Sequence, residues 1–411
     1  MTVPFTDLDP FQDPLDSILA EVALSVQLPP SLHKKTRSRF TSLREHIEAH
    51  PDFKDQIEWF YPQGSMAIDA TISTRGTDDE YDLDVVAQLG GRFRTMAPLN
   101  ILLALEEALQ GYPVAAIVRQ TRCVTIPYAD RMHIDVTPAL RDYGTPDRQS
   151  RITHAKGPRA SADDRLVDMN AFGFAEWYLS RTPTEVPFAK AFHRRWLDHG
   201  GMEVRADAEV DDVPDQTDFI VKNPMTLALQ LLKRYRNVRY ANYAGRIPPS
   251  VMLSCFAGYT AAPRLGLAEA VIRLSNAIIL EIEAASRAAQ LLYVDNPAHP
   301  GRDVFTDRWP ASITQQNEFA KHLRDLVHNL EKMRKRQLAP NEMMDELRRS
   351  FGDRVVTKAA DNMATRLGAA LETSRQGFAR SGALILPAAA PAIARPSLVT
   401  AKPNTFFGVK M

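Results

Sequence analysis

Apolar positions along the chain change their spacing twice, and each change marks a different kind of structure. Over residues 14–50, Phe40, Leu43 and Ile47 recur at three- and four-residue steps among charged positions, which predicts helix. Pro29 and Pro30 divide that stretch into a short first helix and a longer second one. From 56 to 140 the period falls towards two. "IEWFYP" predicts a strand running into the Gly64-Ser65 turn, then a short helical stretch to about Thr71, a polar loop, and a strand at "YDLDVVAQL". "APLNILLALEEALQGY" predicts a helix stopped by Gly111 and Pro113. "CVTIPY" and "MHIDVTPAL" predict two strands joined by the Ala129-Asp130-Arg131 turn. In the second, Met132, Ile134 and Val136 share one face, and His133, Asp135 and Thr137 share the other.

After about residue 223 the helical period takes over. Asn223 followed by Pro224 reads as an N-cap with proline at the first helical position. Met225, Ala228, Leu231, Leu232, Tyr235 and Val238 then predict one apolar face. Further helices are predicted over 248–260, 265–290, 311–338, 340–351 and 355–378. Residues 382–411, with "LPAAAPAIARP", carry no period and predict a flexible tail. Its Phe406 and Phe407 are expected to dock on the chain's own helical part, since burying each would be worth roughly 1.5–3 kcal/mol.

Composition narrows the function classes. Fifty basic residues balance fifty acidic ones across 411 positions, which disfavours an extended nucleic-acid surface. Two cysteines, Cys123 and Cys255, lie in apolar stretches without metal-ligand spacing and are expected to be small core residues. The segment "MTVPFTDLDPFQDPLD" is acidic and broken by prolines, unlike a signal peptide. The most apolar helix, around "AVIRLSNAIILEIEAA", is interrupted by Arg273, Asn276, Glu281 and Glu283, so no membrane span is expected and the cytoplasm is the expected location.

The candidate chemistry sits where the strands carry acid. Asp82 and Asp84 flank one leucine, so they share a face while Leu83 and Val85 pack behind. Adjacent carboxylates repel and are costly to desolvate unless a cation lies between them. Asp135 on the later strand completes a set of three, suited to the hard cations Mg²⁺ or Mn²⁺. Two such ions, roughly 4 Å apart, can hold a triphosphate and activate a hydroxyl for in-line displacement. Gly64 lets backbone approach phosphate oxygens, and Ser65 adds a hydroxyl donor. Asp78, Asp79 and Glu80 lack apolar alternation and read as a polar loop, and the acidic run from Glu203 to Asp218 reads as a solvated loop.

"GSMAIDATI", "YDLDVV" and "MHIDVTPAL" together resemble the nucleotidyltransferase core of the polymerase-β-like superfamily, and within it the bacterial cGAS/DncV-like nucleotidyltransferases. The resemblance runs from about 30 to 310. It implies an α+β fold: a mixed sheet with flanking helices over 1–222, a helical bundle domain over 223–381, and the tail. It implies Asp82, Asp84 and Asp135 as ligands to two metal ions, with Gly64 and Ser65 on donor phosphates. "LLKRYRN" resembles the family helix with a phosphate-binding lysine, here Lys233, although a basic residue near a helix C-terminus is also favoured by the helix dipole. "IPPSVMLS" resembles the next helix start, where a serine contacts the triphosphate: Ser250, or failing that Ser254. In "VDNPAHPGRDVFTDRWP", Asn296 and Trp309 are expected to be architectural. Asn170 could read a base edge, but a helix N-cap is the expected role. The implied activity is synthesis of a cyclic di- or trinucleotide second messenger from ATP, GTP or both, with pyrophosphate release, in antiphage defence, alongside operon-encoded regulatory or effector partners. A template-independent transferase acting on RNA or a small acceptor, and an inactive binding module, are the alternatives.

Overall fold

The computed structural model describes residues 10–11, 13–28, 30–73, 81–142, 144–146, 148–206, 223–372, 377–378 and 384–385. Two helices open the chain, α1 (Pro14–Ser25) and α2 (Pro30–Ala49). Asp13 caps α1 by accepting from the Leu15 and Asp16 amides, and Pro14 takes a position whose N–H would have no helical partner. Next come β1 (Ile57–Pro62), β2 (Tyr81–Leu89), α3 (Pro98–Ala108), β3 (Val118–Arg119), β4 (Val124–Pro127) and β5 (Met132–Leu140). They are followed by β6 (Ser150–His154), β7 (Arg165–Met169), α4 (Ala171–Arg181) and α5 (Val186–Ala206). The helical part comprises α6 (Pro224–Arg239), α7 (Ser250–Thr260), α8 (Leu267–Arg287), α9 (Ile313–Arg334), α10 (Pro340–Phe351) and α11 (Asp353–Glu372).

The sheet runs in the order β1-β2-β5-β4-β3, with β6 pairing the end of β5 and β7 pairing β6. β2 and β5 are parallel and the other pairs antiparallel, so the sheet is mixed. Strand alternation works as the spacing predicts. Leu83, Val85, Ile134 and Val136 are at most 2% exposed and share one core with Leu43 and Ile47 of α2 and Ile101 and Leu105 of α3. A second core gathers the helical part, and α1 belongs to it: Leu15, Ile18, Leu19 and Val22 lie in one cluster with residues of α6, α8 and α11. By packing, then, α1 sides with residues that follow it by more than two hundred positions.

Three expectations need correction. α6 has no solvent face over most of its length, because every residue from Pro224 to Arg236 is buried. The "acidic loop" begins inside α5, which extends to Ala206; the remainder of that run lies outside the described residues, as do Asp78, Asp79 and Glu80. The tail is not periodless at its start, since Leu384–Ile385 (β9) pairs antiparallel with Gly377–Phe378 (β8), where a helix was expected to run on to 378. Phe406 and Phe407 lie outside the described residues.

Candidate active site

Parallel pairing of β2 with β5 makes Asp84 and Asp135 direct partners in register, and Asp82 and His133 likewise. The three carboxylates therefore stand on the face opposite the core. Their surroundings differ. The Asp135 carboxylate accepts a hydrogen bond from Thr125 Oγ1 at 2.5 Å. Asp82 turns outward, with its side chain 60% exposed and His133 Nδ1 3.8 Å away. The Asp84 carboxylate receives no hydrogen bond from any described residue. Burial, then Asp135, then Asp82 push its pKa up to about 7, while the positive charge of Lys233 opposes them.

Among the described residues, no three acidic, histidine or cysteine side chains are gathered closely enough to hold a metal ion as they stand. The donor set nevertheless fits a hard divalent cation. It offers carboxylate oxygens alone, two of the three acids in register, with no described residue donating to Asp84 and with Asp82 on the open side.

The Gly64-Ser65 turn lies against this acid. Gly64 adopts φ +61°, and a Cβ there would come within 2.3 Å of Asp84 Oδ2, so only glycine admits the close approach. The Gln63 amide donates to the Asp84 carbonyl at 2.8 Å. Ser65 is held by its neighbours: its carbonyl accepts from the Ala70 amide at 2.9 Å, and its hydroxyl accepts from Thr71 Oγ1 at 3.3 Å.

Lys233 reaches the same loop from α6. Its Nζ donates to the Ala70 carbonyl at 2.8 Å, and burial, ahead of the charge of Arg236, lowers its pKa to about 7 against the pull of Asp84 and Asp82. It lies six residues before the end of α6, so the helix-dipole reading does not apply. Ser250 opens α7 and accepts from Arg236 Nη1 at 2.9 Å, while Arg236 also donates to the Pro248 carbonyl at 2.8 Å. Ser254 is spent within its own helix, donating to the Ser250 carbonyl at 3.0 Å.

Two cavities flank the carboxylates. The first, about 550 Å³, is walled by Asp82, Asp135, His133, Thr125 and Gln120. Cys123 lines it too, which corrects its expected place in the core; Cys255 is buried as expected. The second, about 580 Å³, starts at Gly64 and Asp84 and runs to Phe174, Ile247, Phe305 and Trp309. Ser65, Lys233 and Ser250 line neither.

Arg122 and Arg308 border both cavities and were not singled out from sequence. Arg122 pairs with Asp307 and donates to His154 Nδ1 at 3.1 Å. No periodicity flags an arginine in the short link between β3 and β4. Asn170 is the cap of α4, accepting from the Gly173 amide at 2.9 Å, and Asn296 is fully buried and donates to the Asn170 carbonyl at 2.9 Å. Both serve the architecture, as expected. Trp309 is also buried, packed edge-on against Phe319, yet it walls the second cavity as well.

Comparison with known proteins identifies the family. Residues 14–161 match the Second Messenger Oligonucleotide or Dinucleotide Synthetase domain. The chain is 48% identical over 386 residues to the cyclic dinucleotide synthase CdnG of Bradyrhizobium diazoefficiens, covering 94% of this chain and 91% of that protein. The structure of the Bradyrhizobium diazoefficiens CD-NTase CdnG in complex with GTP superposes with a TM-score of 0.76 at 46% identity, over 87% of this chain and all (100%) of that one. The fold alone is shared with Escherichia coli MS115-1 CdnC, at 14% identity and a TM-score of 0.53 over 82% of this chain and 98% of that one. An α+β chain with paired strand aspartates, a glycine turn against them and this kinship belongs to the second messenger oligonucleotide or dinucleotide synthetase family of nucleotidyltransferases.

Proposed function

We propose that this chain joins two or three nucleoside triphosphates, GTP among them, into a cyclic second messenger and releases one pyrophosphate per bond. The observation that carries the reading is Asp84 beside Asp135, in register and with no described residue donating to the Asp84 carboxylate, between two cavities each large enough for a nucleotide. The kinship to a cyclic dinucleotide synthase and to a GTP-bound structure supports it.

Asp82, Asp84 and Asp135 would hold the divalent cations, Mg²⁺ or Mn²⁺. Bound there, such ions neutralise charge on the transferring phosphoryl group and acidify the attacking hydroxyl. The chain's own residues do the positioning. Gly64 brings backbone amides close to the donor phosphates, and Ser65 adds a hydroxyl. Lys233 holds the Ala70 carbonyl and thus the shape of that turn, with its charge set towards the same phosphates. Ser250, fixed by Arg236, presents the start of α7 to the triphosphate. Thr125 fixes the Asp135 carboxylate beside the acceptor hydroxyl. An oxygen–phosphorus bond forms to the donor α-phosphate as the bond to pyrophosphate breaks and the attacking hydroxyl gives up its proton, and the last such transfer closes the ring.

We place the enzyme in antiphage signalling in the cytoplasm, with operon-encoded partners, on the family's account. Among the described residues no helix is long and apolar enough to cross a membrane. Purified protein incubated with the four ribonucleoside triphosphates and Mg²⁺ or Mn²⁺ should yield a cyclic product by mass spectrometry. Linear extension of an added RNA instead would overturn the reading.

A further inference from the structure

The second cavity is apolar along most of its wall, where Phe174, Val304 and Trp309 lie, with Gly64 and Asp84 also lining it. Two further acids break that apolar wall, Asp303 and Asp307, and Asp307 is already paired with Arg122. The position of Asp303 is fixed from both halves of the chain. Oδ2 accepts from the Asn170 amide at 2.9 Å and from Asn296 Nδ2 at 2.8 Å. Asn170 is in turn the cap of α4, and Asn296 also grips the Asn170 carbonyl. Oδ1 receives no hydrogen bond from any described residue.

A locked carboxylate with one open oxygen at an apolar wall selects for a partner that only donates. The two purines differ in this respect. Guanine presents N1–H and its exocyclic amino group side by side, both donors, whereas adenine presents the N1 acceptor next to its amino group. We infer that Asp303 is a specificity residue: its Oδ1 accepts from the N1–H and 2-amino edge of guanine, and makes this cavity a guanine-nucleotide subsite. The inference rests on the proposed function for the cavity's role and for GTP as a substrate, and it adds the residue that reads the base.

Burial raises the Asp303 pKa, and the donors from Asn296 and Asn170 oppose that rise and favour the acceptor form. In Asp303→Asn, the amide oxygen can keep the Asn170 and Asn296 bonds, which turns the amide nitrogen, a donor, towards the cavity. The variant therefore reverses the chemistry presented to the base while keeping the clamp.

The test is calorimetric titration of the full chain with non-hydrolysable GTP and ATP analogues, which needs no turnover. Wild type is expected to bind the GTP analogue at least about 10-fold tighter, as a good base-edge contact provides. Asp303→Asn is expected to collapse that ratio to about 1 or invert it, with its melting temperature near that of wild type. Equal binding of the two analogues by wild type, or an equal loss for both in Asp303→Asn, would overturn the assignment and leave Asp303 as a brace alone. Should the variant not fold, wild type is titrated with a non-hydrolysable inosine triphosphate analogue, which lacks the 2-amino group. A loss of about 10-fold against the GTP analogue supports the contact, and equal affinity removes it. Failure to make a cyclic product would count against the proposed function, whereas these binding ratios judge Asp303 by itself.

Discussion

Two groups of polar side chains, those of α6 and the carboxylates of the β2–β5 pair, are treated in opposite ways. On α6, Gln230, Lys233, Arg234 and Arg236 are each at most 6% exposed. Every one donates to a backbone carbonyl of another segment: Thr71, Ala70, Phe351 and Pro248 respectively. On β2, Asp84 faces two other acids and receives no donor from the described residues. A buried polar group with a partner contributes about 0.5–1.5 kcal/mol, while an unpartnered one costs about 1–3 kcal/mol, and more when charged. The α6 side chains are accordingly part of what holds the fold together. The carboxylates are an unfavourable arrangement for the bare protein, which a bound cation would offset.

The comparison breaks first at the acids. Asp82→Asn combined with Asp84→Asn should lower product formation at least about 1,000-fold, because stabilisation of transferring phosphate charge is lost. The metal-free melting temperature should stay level or rise. Mg²⁺ should raise the melting temperature of wild type and not of the double variant. Wild-type synthesis by that variant would end the argument.

Gly64→Ala is next. The added Cβ meets Asp84 Oδ2 and the residue must keep φ +61°, so activity should fall about 10- to 100-fold and stability by about 1–2 kcal/mol. Initial-rate assays and a thermal melt read both. An unaffected rate would mean that the turn does not position phosphates.

α6 itself supplies a sharper pair. Lys233→Met should weaken binding of a non-hydrolysable nucleotide by about 1.5–3 kcal/mol, the worth of a charge-assisted contact. Arg234→Met should cost about 1–3 kcal/mol of stability, by stranding the Phe351 carbonyl, and leave nucleotide affinity within about two-fold. Calorimetry beside chemical denaturation separates them; equal effects on affinity would return Lys233 to a purely structural part.

The smallest effect belongs to a partly exposed cluster, Asp130 with Arg39 and Lys35. Burial pulls the Asp130 pKa up, but Arg39 and Lys35 outweigh it and hold the carboxyl below its usual range. Its contribution is therefore present above the unfolded aspartate value, about 3.9, and is lost as pH falls through the lower folded value. Asp130→Asn should lower the melting temperature by about 2 °C or less at pH 7, and the gap to wild type should close under acid.

Strand alternation alone makes the acidic face legible: Leu83 and Val85 against Asp82 and Asp84, and Ile134 and Val136 against Asp135. The caps at Asn170 and Asn223 were legible for the same reason, since each acts within three residues of itself. What escaped was long-range. α6 reads as one-sided by its apolar residues, yet its polar ones are buried too, because their carbonyl partners come from other segments: the loop at Ala70 and Thr71, the end of α10 and the stretch before α7. Arg122 and Asp307 meet across 185 positions, and no local pattern marks either. Cys123 looked apolar by its neighbours and faces a polar cavity. The serine of α7 nearest the loop keeps a fixed hydroxyl only because Arg236 lies opposite.

Residue order alone therefore determined the local periods, the turn that needs glycine, and three carboxylates on strand faces turned away from the core. Those follow from backbone geometry, which acts over a few residues. The tertiary structure decided that Asp84 stands beside Asp135, that Lys233 braces the Ser65 loop from the other half of the chain, and that Asp303 keeps one oxygen open to a cavity. Each of these depends on which distant segments share a desolvated space, and that is settled by packing rather than by spacing.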